Sequence, residues 1–397
     1  MSGAYASALT GFAAPLAAEA LLAEAEARTG LSDWGGKRWN EDRFRYDLAI
    51  LCDEIEAKAR LTATGRSRAH SRLITMLVSR LRYLDARKAA GADAERIAAP
   101  LIGSGMPRAG TTFLHGLFAQ DPANRAVPAW EAAIPAPLGD GGDRAALYAD
   151  ILAFQGMTAP DVTAIHPFGS DLPEECIFLQ EGNIGSLYGV YWSVPDYQAA
   201  IADKLSSAFA WQIGVMQYLQ ADAPARRWAL KGPGHLFGWR ELLIAFPDAR
   251  LYVNHRDPGK VIPSIASLFA KLRSLFSDEA VDPAAIGAQQ LAAWQYATGE
   301  YAAWRDCEGA DACVSDVLFT DLVTDPLETV ARVYDELDLS LTAVAREAMA
   351  RHLESDHHAS APKRAYTLAE YGLDEAAIEA AFAPYIERFA IERETRR

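Results

Sequence analysis

The chain is short of cysteine and of positive charge, and it has no long apolar run. Each shortage removes a class of function. Its four cysteines, Cys52, Cys176, Cys307 and Cys313, are scattered through 397 residues. No CxxC pair and no Cys/His cluster with zinc spacing occurs, so the four read as reduced thiols and not as a metal or disulfide framework. Lys plus Arg number 38 against 53 Asp plus Glu, a formal net charge of −15. An acidic chain is a poor partner for nucleic acid or an anionic membrane surface, so an anionic ligand must be held by local basic groups. No apolar stretch reaches the roughly 18 residues of a spanning helix, so no membrane insertion is expected. The Ala-rich opening lacks a basic first region and carries glutamates from Glu19 onward, unlike a secretory signal. A cytoplasmic protein is the expectation. Half of the residues are apolar, enough for one large domain or two ordinary ones.

What is present falls into two regions. Residues 1–92 read as helices packed on a core. Phe44, Leu48, Leu51 and Ile55 recur at helical spacing, as do Leu73, Leu77, Leu81 and Leu84. From 93 to 397 the pattern alternates. A strand at 97–102 leads into a glycine loop and a helix at 111–120. Strands at 226–231, 249–255 and 312–319 follow, interleaved with helices at 199–220, 235–246 and 325–337; the last opens on an Asp-Pro start signal. The stretch 160–200, rich in turn residues and aromatics, reads as an irregular excursion that covers a substrate. Alternation of this kind predicts an α/β fold: a P-loop-like three-layer domain with a mainly parallel central sheet, plus helical N-terminal and C-terminal extensions. Ligands on such sheets sit at the carboxyl ends of strands.

The glycine loop, "GSGMPRAGTT" from Gly103 to Thr112, is the most informative stretch. Gly105 and Gly110 have the spacing of the P-loop G-x-x-x-x-G-K-[ST], but Thr111 stands where the lysine belongs. A basic residue, Arg108, comes two positions before the second glycine instead. Free N–H groups at a helix start, with two threonine hydroxyls beside them, favour an anion. The bland alternative is a turn that merely joins strand to helix. In nucleotide triphosphatases the lysine reaches the β/γ-phosphates and the next residue holds Mg²⁺. A cradle without that lysine suits a smaller anion, such as a phosphosulfate.

"PRAGTT" (Pro107 to Thr112) resembles the 5′-phosphosulfate loop of the sulfotransferases that use 3′-phosphoadenosine 5′-phosphosulfate (PAPS), and "YVNHRDPGKVIPS" resembles their 3′-phosphate motif, a strand ending in Arg with Ser eight residues later. "LKGPGH", "FTDLVTDPLETV" and "YGLDEAAIEAAFAPYIERF" look like further parts of the bacterial and tyrosylprotein-type branch, so the resemblance runs from about 98 to 385. It implies Arg108, Ala109, Gly110, Thr111, Thr112, Phe113, Arg256, Ser264 and Phe319 as donor-binding residues, and Lys231 as a contact to the sulfate. Cytosolic relatives complete the 3′-phosphate site with an "RKG" loop that this sequence lacks; Lys363 and Arg364 are the substitutes. The resemblance also implies PAPS as donor, PAP as product and no required metal.

Sulfuryl transfer to a hydroxyl needs cations on the sulfate and a base on the acceptor. Arg108 and Lys231 are the cations. Two bases compete: Glu131, which resembles a glutamate placed after the loop helix in tyrosylprotein-type and bacterial members, and His235, which lies four residues past Lys231 where cytosolic relatives have a histidine two past. Glu174 and Glu175 are either a solvated pair or lining for an acceptor. Tyr188, Tyr191, Trp192 and Tyr197 are either an acceptor pocket or packing under a loop. His166, His352, His357 and His358 lack partners at useful spacing. "HRDP" has no downstream Asn and no DFG, so it is not a kinase catalytic loop.

The leading expectation is in-line transfer of a sulfuryl group from PAPS to the hydroxyl of a small molecule, lipid or sugar. The alternatives are a P-loop kinase-like phosphotransferase, which needs Mg²⁺ and ATP, and a catalytically silent nucleotide-binding protein. Acceptor identity and oligomeric state are open.

Overall fold

The computed structural model describes residues 3–185, 188–202, 204–223, 226–277, 282–307, 310–355 and 367–394. The chain divides into two compact units that interleave along the sequence. One, here the helical unit, comprises Met1–Ile97, Val127–Ala225 and Lys271–Val281. The other, the sheet unit, comprises Ala98–Ala126, Arg226–Ala270 and Asp282–Arg397.

The sheet unit is built on five strands: β1 (Leu101–Gly105), β2 (Asn124–Arg125), β3 (Arg227–Lys231), β4 (Arg250–His255) and β5 (Val314–Leu318). They lie in the order β2-β3-β1-β4-β5, and every pairing is parallel. Leu101, Ala229, Tyr252 and Val317 face one side, against Leu114, Leu117 and Phe118 of the Thr111–Phe118 helix and Val330 and Val333 of the Pro326–Glu336 helix. Burial of side chains of this size contributes roughly 1.5–3 kcal/mol each. Alternation sends Ile102, Leu230, Leu251 and Val253 to the opposite face, where they too are buried. A parallel sheet apolar on both faces needs helices on both, which gives the expected three-layer α/β fold.

The glycines account for one difference from the sequence reading. The strand expected at 97–102 is formed instead by Leu101–Gly105 and runs through Gly103. Glycine reads as a turn signal, yet here a Cβ on Gly103 would lie 2.1 Å from Cζ of Tyr252, whose ring crosses that position. The Asp-Pro signal is realised as read: Asp325 accepts from the Glu328 N–H and Pro326 opens the helix.

A polar network closes the far edge of the sheet. His255 is fully buried, its Nδ1 2.7 Å from the Tyr385 hydroxyl and its Nε2 2.9 Å from Asp316. Arg305 donates two hydrogen bonds to the same carboxylate, at 2.7 and 2.8 Å. Burial pushes the His255 ring below its usual range. Burial would raise Asp316, but the His255 ring and the Arg305 fork outweigh it and hold the carboxyl at about 2.

In the helical unit the Ala63–Arg87 helix is buried along most of its length and capped by Thr62, which accepts from the Gly65 N–H. Two of its arginines hold other segments. Arg80 donates to the carbonyls of Trp34 and Gly182 and lies over the rings of Phe44 and Trp211. Arg72 pairs with Glu181 at 2.8 Å. The excursion at 160–200 is therefore anchored from below and contains several short helices, including Pro160–Thr163, Cys176–Gln180 and Pro195–Ile201. Among the described residues no helix is long and apolar enough to cross a membrane.

Asp316→Asn should cost about 1–2 kcal/mol in urea denaturation at pH 7, because the Arg305 fork loses its counter-charge in a partly screened site. The native carboxyl is depressed from 3.8 to about 2, so its contribution is complete above 3.8 and is lost as pH falls through about 2. The deficit of the variant should accordingly narrow below about pH 4. A deficit independent of pH would assign the loss to packing.

Candidate active site

β1 ends at Gly105 and passes through residues 106–110 into the Thr111–Phe118 helix. The turn is confined by its surroundings. Gly105 has φ 130° and Gly110 has φ 84°, and a Cβ on either would fall 2.5 Å from the Asn254 carbonyl oxygen or 2.9 Å from Leu322. Arg108 also has a left-handed φ, 70°, a conformation that costs a non-glycine residue on the order of 1 kcal/mol. Two side chains from the end of β4 hold it there. Arg256 donates to the Arg108 carbonyl at 2.7 Å, and Asn254 donates to the Ala109 carbonyl at 3.2 Å. The carbonyls are thus turned toward β4. Gly110 occupies the N-cap position and offers no side chain to the first-turn N–H groups of the helix. This is the positive end of the helix.

The side chains around the loop are cationic or hydroxylic. Arg108 donates through Nε to Ser264 Oγ at 3.2 Å, which links the loop to the Pro258–Arg273 helix. Lys231, the last residue of β3, is almost completely buried and donates to Thr112 Oγ1 at 3.3 Å. Arg256 lies over the ring of Phe319 with its guanidinium carbon 3.8 Å from the centroid. Its remaining edge, Nε and Nη2, holds the Glu394 carboxylate at 2.7 and 2.9 Å. Arg108, Thr112, Lys231, Arg256, Ser264 and Phe319, named from separate motifs, therefore meet on one rim. Ala109 contributes its backbone there, and Thr111 is buried at the helix start. Phe113 packs against the core under the sheet. Lys363 and Arg364, like His357 and His358, lie outside the described residues.

His235 sits in the short Pro233–Phe237 helix just after β3. Its ring is buried and folds over Gly232, where a Cβ would be 2.8 Å from Nε2. Gly232 is fastened to β1 by its N–H on the Gly103 carbonyl, at 3.0 Å, and by the Ser104 hydroxyl on its own carbonyl, at 3.1 Å.

Glu131 belongs to the helical unit, in the Ala129–Ala133 helix, where its side chain is half-buried. The N–H groups of Ala129 and Trp130 donate to the carbonyls of Leu172 and Ser170, and that of Glu174 donates to Val127. This pairing sets the backbone carrying Glu174 and Glu175 beside the one carrying Glu131. Ala132 and Ala133 line a cavity of about 30 Å³ with Arg72, Tyr148 and Glu181, room for a water or two. Burial pushes the Glu181 carboxyl up against the pull of Arg72. Tyr188 and Trp192 are fully buried and stack at 5.7 Å, with Tyr197 and Phe276 edge-on to them. Among the described residues no group of three or more His, Cys, Asp or Glu is placed to hold a metal ion.

Sequence reasoning passed over Ser104, Asn254 and Glu394. The first two had a signal. Each is a polar residue at the carboxyl end of a strand that should be apolar on both faces. Glu394 had none, because its partner is 138 residues away in sequence.

A sequence model described as the sulfotransferase family matches residues 100–343. Two crystal structures are similar over nearly the whole chain. Sulfotransferase STF9 from Mycobacterium avium is 28% identical, with a TM-score of 0.83, covering 98% of this chain and 100% of that one. Sulfotransferase STF1 from Mycobacterium tuberculosis H37Rv is also 28% identical, with a TM-score of 0.79, covering 92% and 98%. A comparison with curated proteins returns no match. The family match begins just before β1 and runs past the Pro326–Glu336 helix, taking in the whole cationic rim, and the chain belongs to the sulfotransferase family, whose reaction is sulfuryl transfer.

Proposed function

We propose that the chain transfers the sulfuryl group of PAPS to a hydroxyl acceptor and releases PAP. The observation that carries this reading is the rim itself: a left-handed glycine turn at a helix start, with Arg108 and Lys231 beside it and Arg256 turning a bidentate fork edge onto the Glu394 carboxylate. The donor has two anionic ends, and the rim offers two anion-binding elements. Residues 108–112 with Lys231 fit the 5′-phosphosulfate. Arg256 and Ser264 fit the 3′-phosphate, since a guanidinium edge that grips a carboxylate also matches a phosphate.

PAPS supplies the sulfuryl group; the acceptor oxygen forms the new S–O bond while the bond to the bridging phosphate oxygen breaks. Arg108 and Lys231 act on the charge that grows on the leaving phosphate and the sulfuryl oxygens. Glu131 takes the acceptor proton in this reading, a half-buried carboxylate being open to an acceptor. His235 is the rival, since it follows Lys231 directly in the sheet unit. Glu174 and Glu175 belong to the acceptor side, for a small-molecule, lipid or sugar hydroxyl, whereas Tyr188 and Trp192, buried and stacked on one another, are packing beneath it. The kinase alternative is disfavoured by Thr111 at the lysine position, and the silent alternative by the presence together of Arg108, Lys231, Arg256 and Ser264. The reaction runs without a metal, in the cytoplasm.

Arg256→Ala should weaken PAP binding by about 10- to 100-fold, the loss of a charge-assisted bidentate contact, and binding of adenosine 5′-phosphosulfate by distinctly less, the share owed to the lost hold on the Arg108 carbonyl. Calorimetry with both ligands decides it, and equal losses would refute the 3′-phosphate assignment. Glu131→Gln should lower turnover of labelled PAPS with a panel of phenols, alcohols and sugars by about 10²- to 10⁴-fold while leaving PAP affinity unchanged. If His235→Ala collapses turnover and Glu131→Gln does not, the base is His235.

A further inference from the structure

The 3′-phosphate fork assigned to Arg256 is engaged by the protein's own C-terminal segment. Arg256 has three donor positions in use. Nη1 is committed to the Arg108 carbonyl, and the guanidinium face rests on Phe319. These two contacts fix its plane and aim the Nε/Nη2 edge outward. That edge carries Glu394, in a two-point grip with both bonds under 3 Å. A carboxylate and a phosphate offer a guanidinium the same pair of acceptor oxygens. Glu394 thus makes the contact that a phosphate would make.

The segment is delivered there by built-in anchors. Tyr385, on the Glu375–Arg388 helix, is hydrogen-bonded to the buried His255, and Phe389 stacks on the His255 ring at 4.3 Å. Beyond the helix the chain turns back through a left-handed Ala390, and the Ile391 N–H closes on the Ile386 carbonyl. The Glu394 N–H then donates to Asp257 Oδ2 at 2.9 Å, while Oδ1 of the same carboxylate caps Gly259 at the start of the next helix. Both anchors act on residues adjacent to Arg256 in sequence. Tethering of this kind gives the carboxylate a high effective concentration at the fork. The pair is only half-buried, with side chains 19% and 24% exposed, so it is displaceable.

We propose that Glu394 is an internal mimic of the donor's 3′-phosphate, and that the C-terminal segment is a latch which donor binding must open. The proposal rests on the assignment of Arg256 to the 3′-phosphate. A phosphate carries more charge and more acceptor oxygens than a carboxylate, so the donor wins the exchange, but its apparent affinity is reduced by the fraction of molecules whose fork is already closed. A nucleotide without a 3′-phosphate has no reason to open the latch.

The test is calorimetric titration of the full-length chain with PAP and with 5′-AMP, for the native protein, Glu394→Gln and Arg256→Ala. Glu394→Gln keeps the side-chain size and the backbone bond to Asp257 while removing the charge. The latch predicts PAP binding about three- to tenfold tighter in Glu394→Gln, with 5′-AMP unchanged. Unchanged or weaker PAP binding in Glu394→Gln, beside a selective loss of PAP in Arg256→Ala, overturns the latch and leaves the donor site standing. Equal tightening of PAP and 5′-AMP overturns the phosphate-mimic role. If Arg256→Ala leaves PAP binding intact, the donor-site assignment falls and the latch with it.

Discussion

The two segments that the proposed donor site draws on meet where the guanidinium of Arg256 donates to the carbonyl of Arg108, at 2.7 Å. This hydrogen bond runs from the end of β4 to the loop that leaves β1, and these are the two segments singled out by separate motifs. It turns a strained left-handed arginine into a stable part of the loop, and in doing so points the Arg108 side chain toward Ser264. It also fixes the plane of Arg256, with Phe319 on its face. Asn254 repeats the arrangement one carbonyl further on. The loop carbonyls of Arg108 and Ala109 are thereby turned toward β4.

Much of this was legible in the sequence because the information is local. The α/β alternation, the glycine spacing and the Arg256–Ser264 interval each depend on residues that are near neighbours in the chain. The order β2-β3-β1-β4-β5 then does what the strand–loop–helix signals implied, setting the ends of β3, β1 and β4 side by side. What was not legible depends on contacts between distant segments. Gly103 reads as a turn residue, yet it lies within a strand because the Tyr252 ring leaves no room for a Cβ there. β2, with only two residues, offers no periodicity; it is held by Asn124, which binds the Phe118 carbonyl and the Tyr334 hydroxyl. The aromatics of the excursion read equally as pocket or packing, and Tyr188 and Trp192 are inside the helical unit, stacked on one another. Glu394 had no sequence signature at all.

The charge balance is resolved in the same local terms. In a chain with a net charge of −15, Arg108, Lys231 and Arg256 are collected close to strand ends, against a helix start, as the proposed anion site requires. One of the surplus carboxylates, Glu394, is held at that collection. Lys231, buried at the end of β3, has its ammonium on the Thr112 hydroxyl, which ties the middle of the sheet to the helix that the glycine loop opens.

The central claim is that the rim is built for a 3′-phosphorylated adenosine donor and needs no metal. The most direct test is calorimetric titration of the purified protein with PAP in EDTA, beside ATP with Mg²⁺. Micromolar PAP binding without metal, with far weaker binding of ATP, is the predicted result. Absence of PAP binding together with Mg²⁺-dependent binding of ATP would contradict the account and turn the glycine loop back into the cradle of a phosphotransferase.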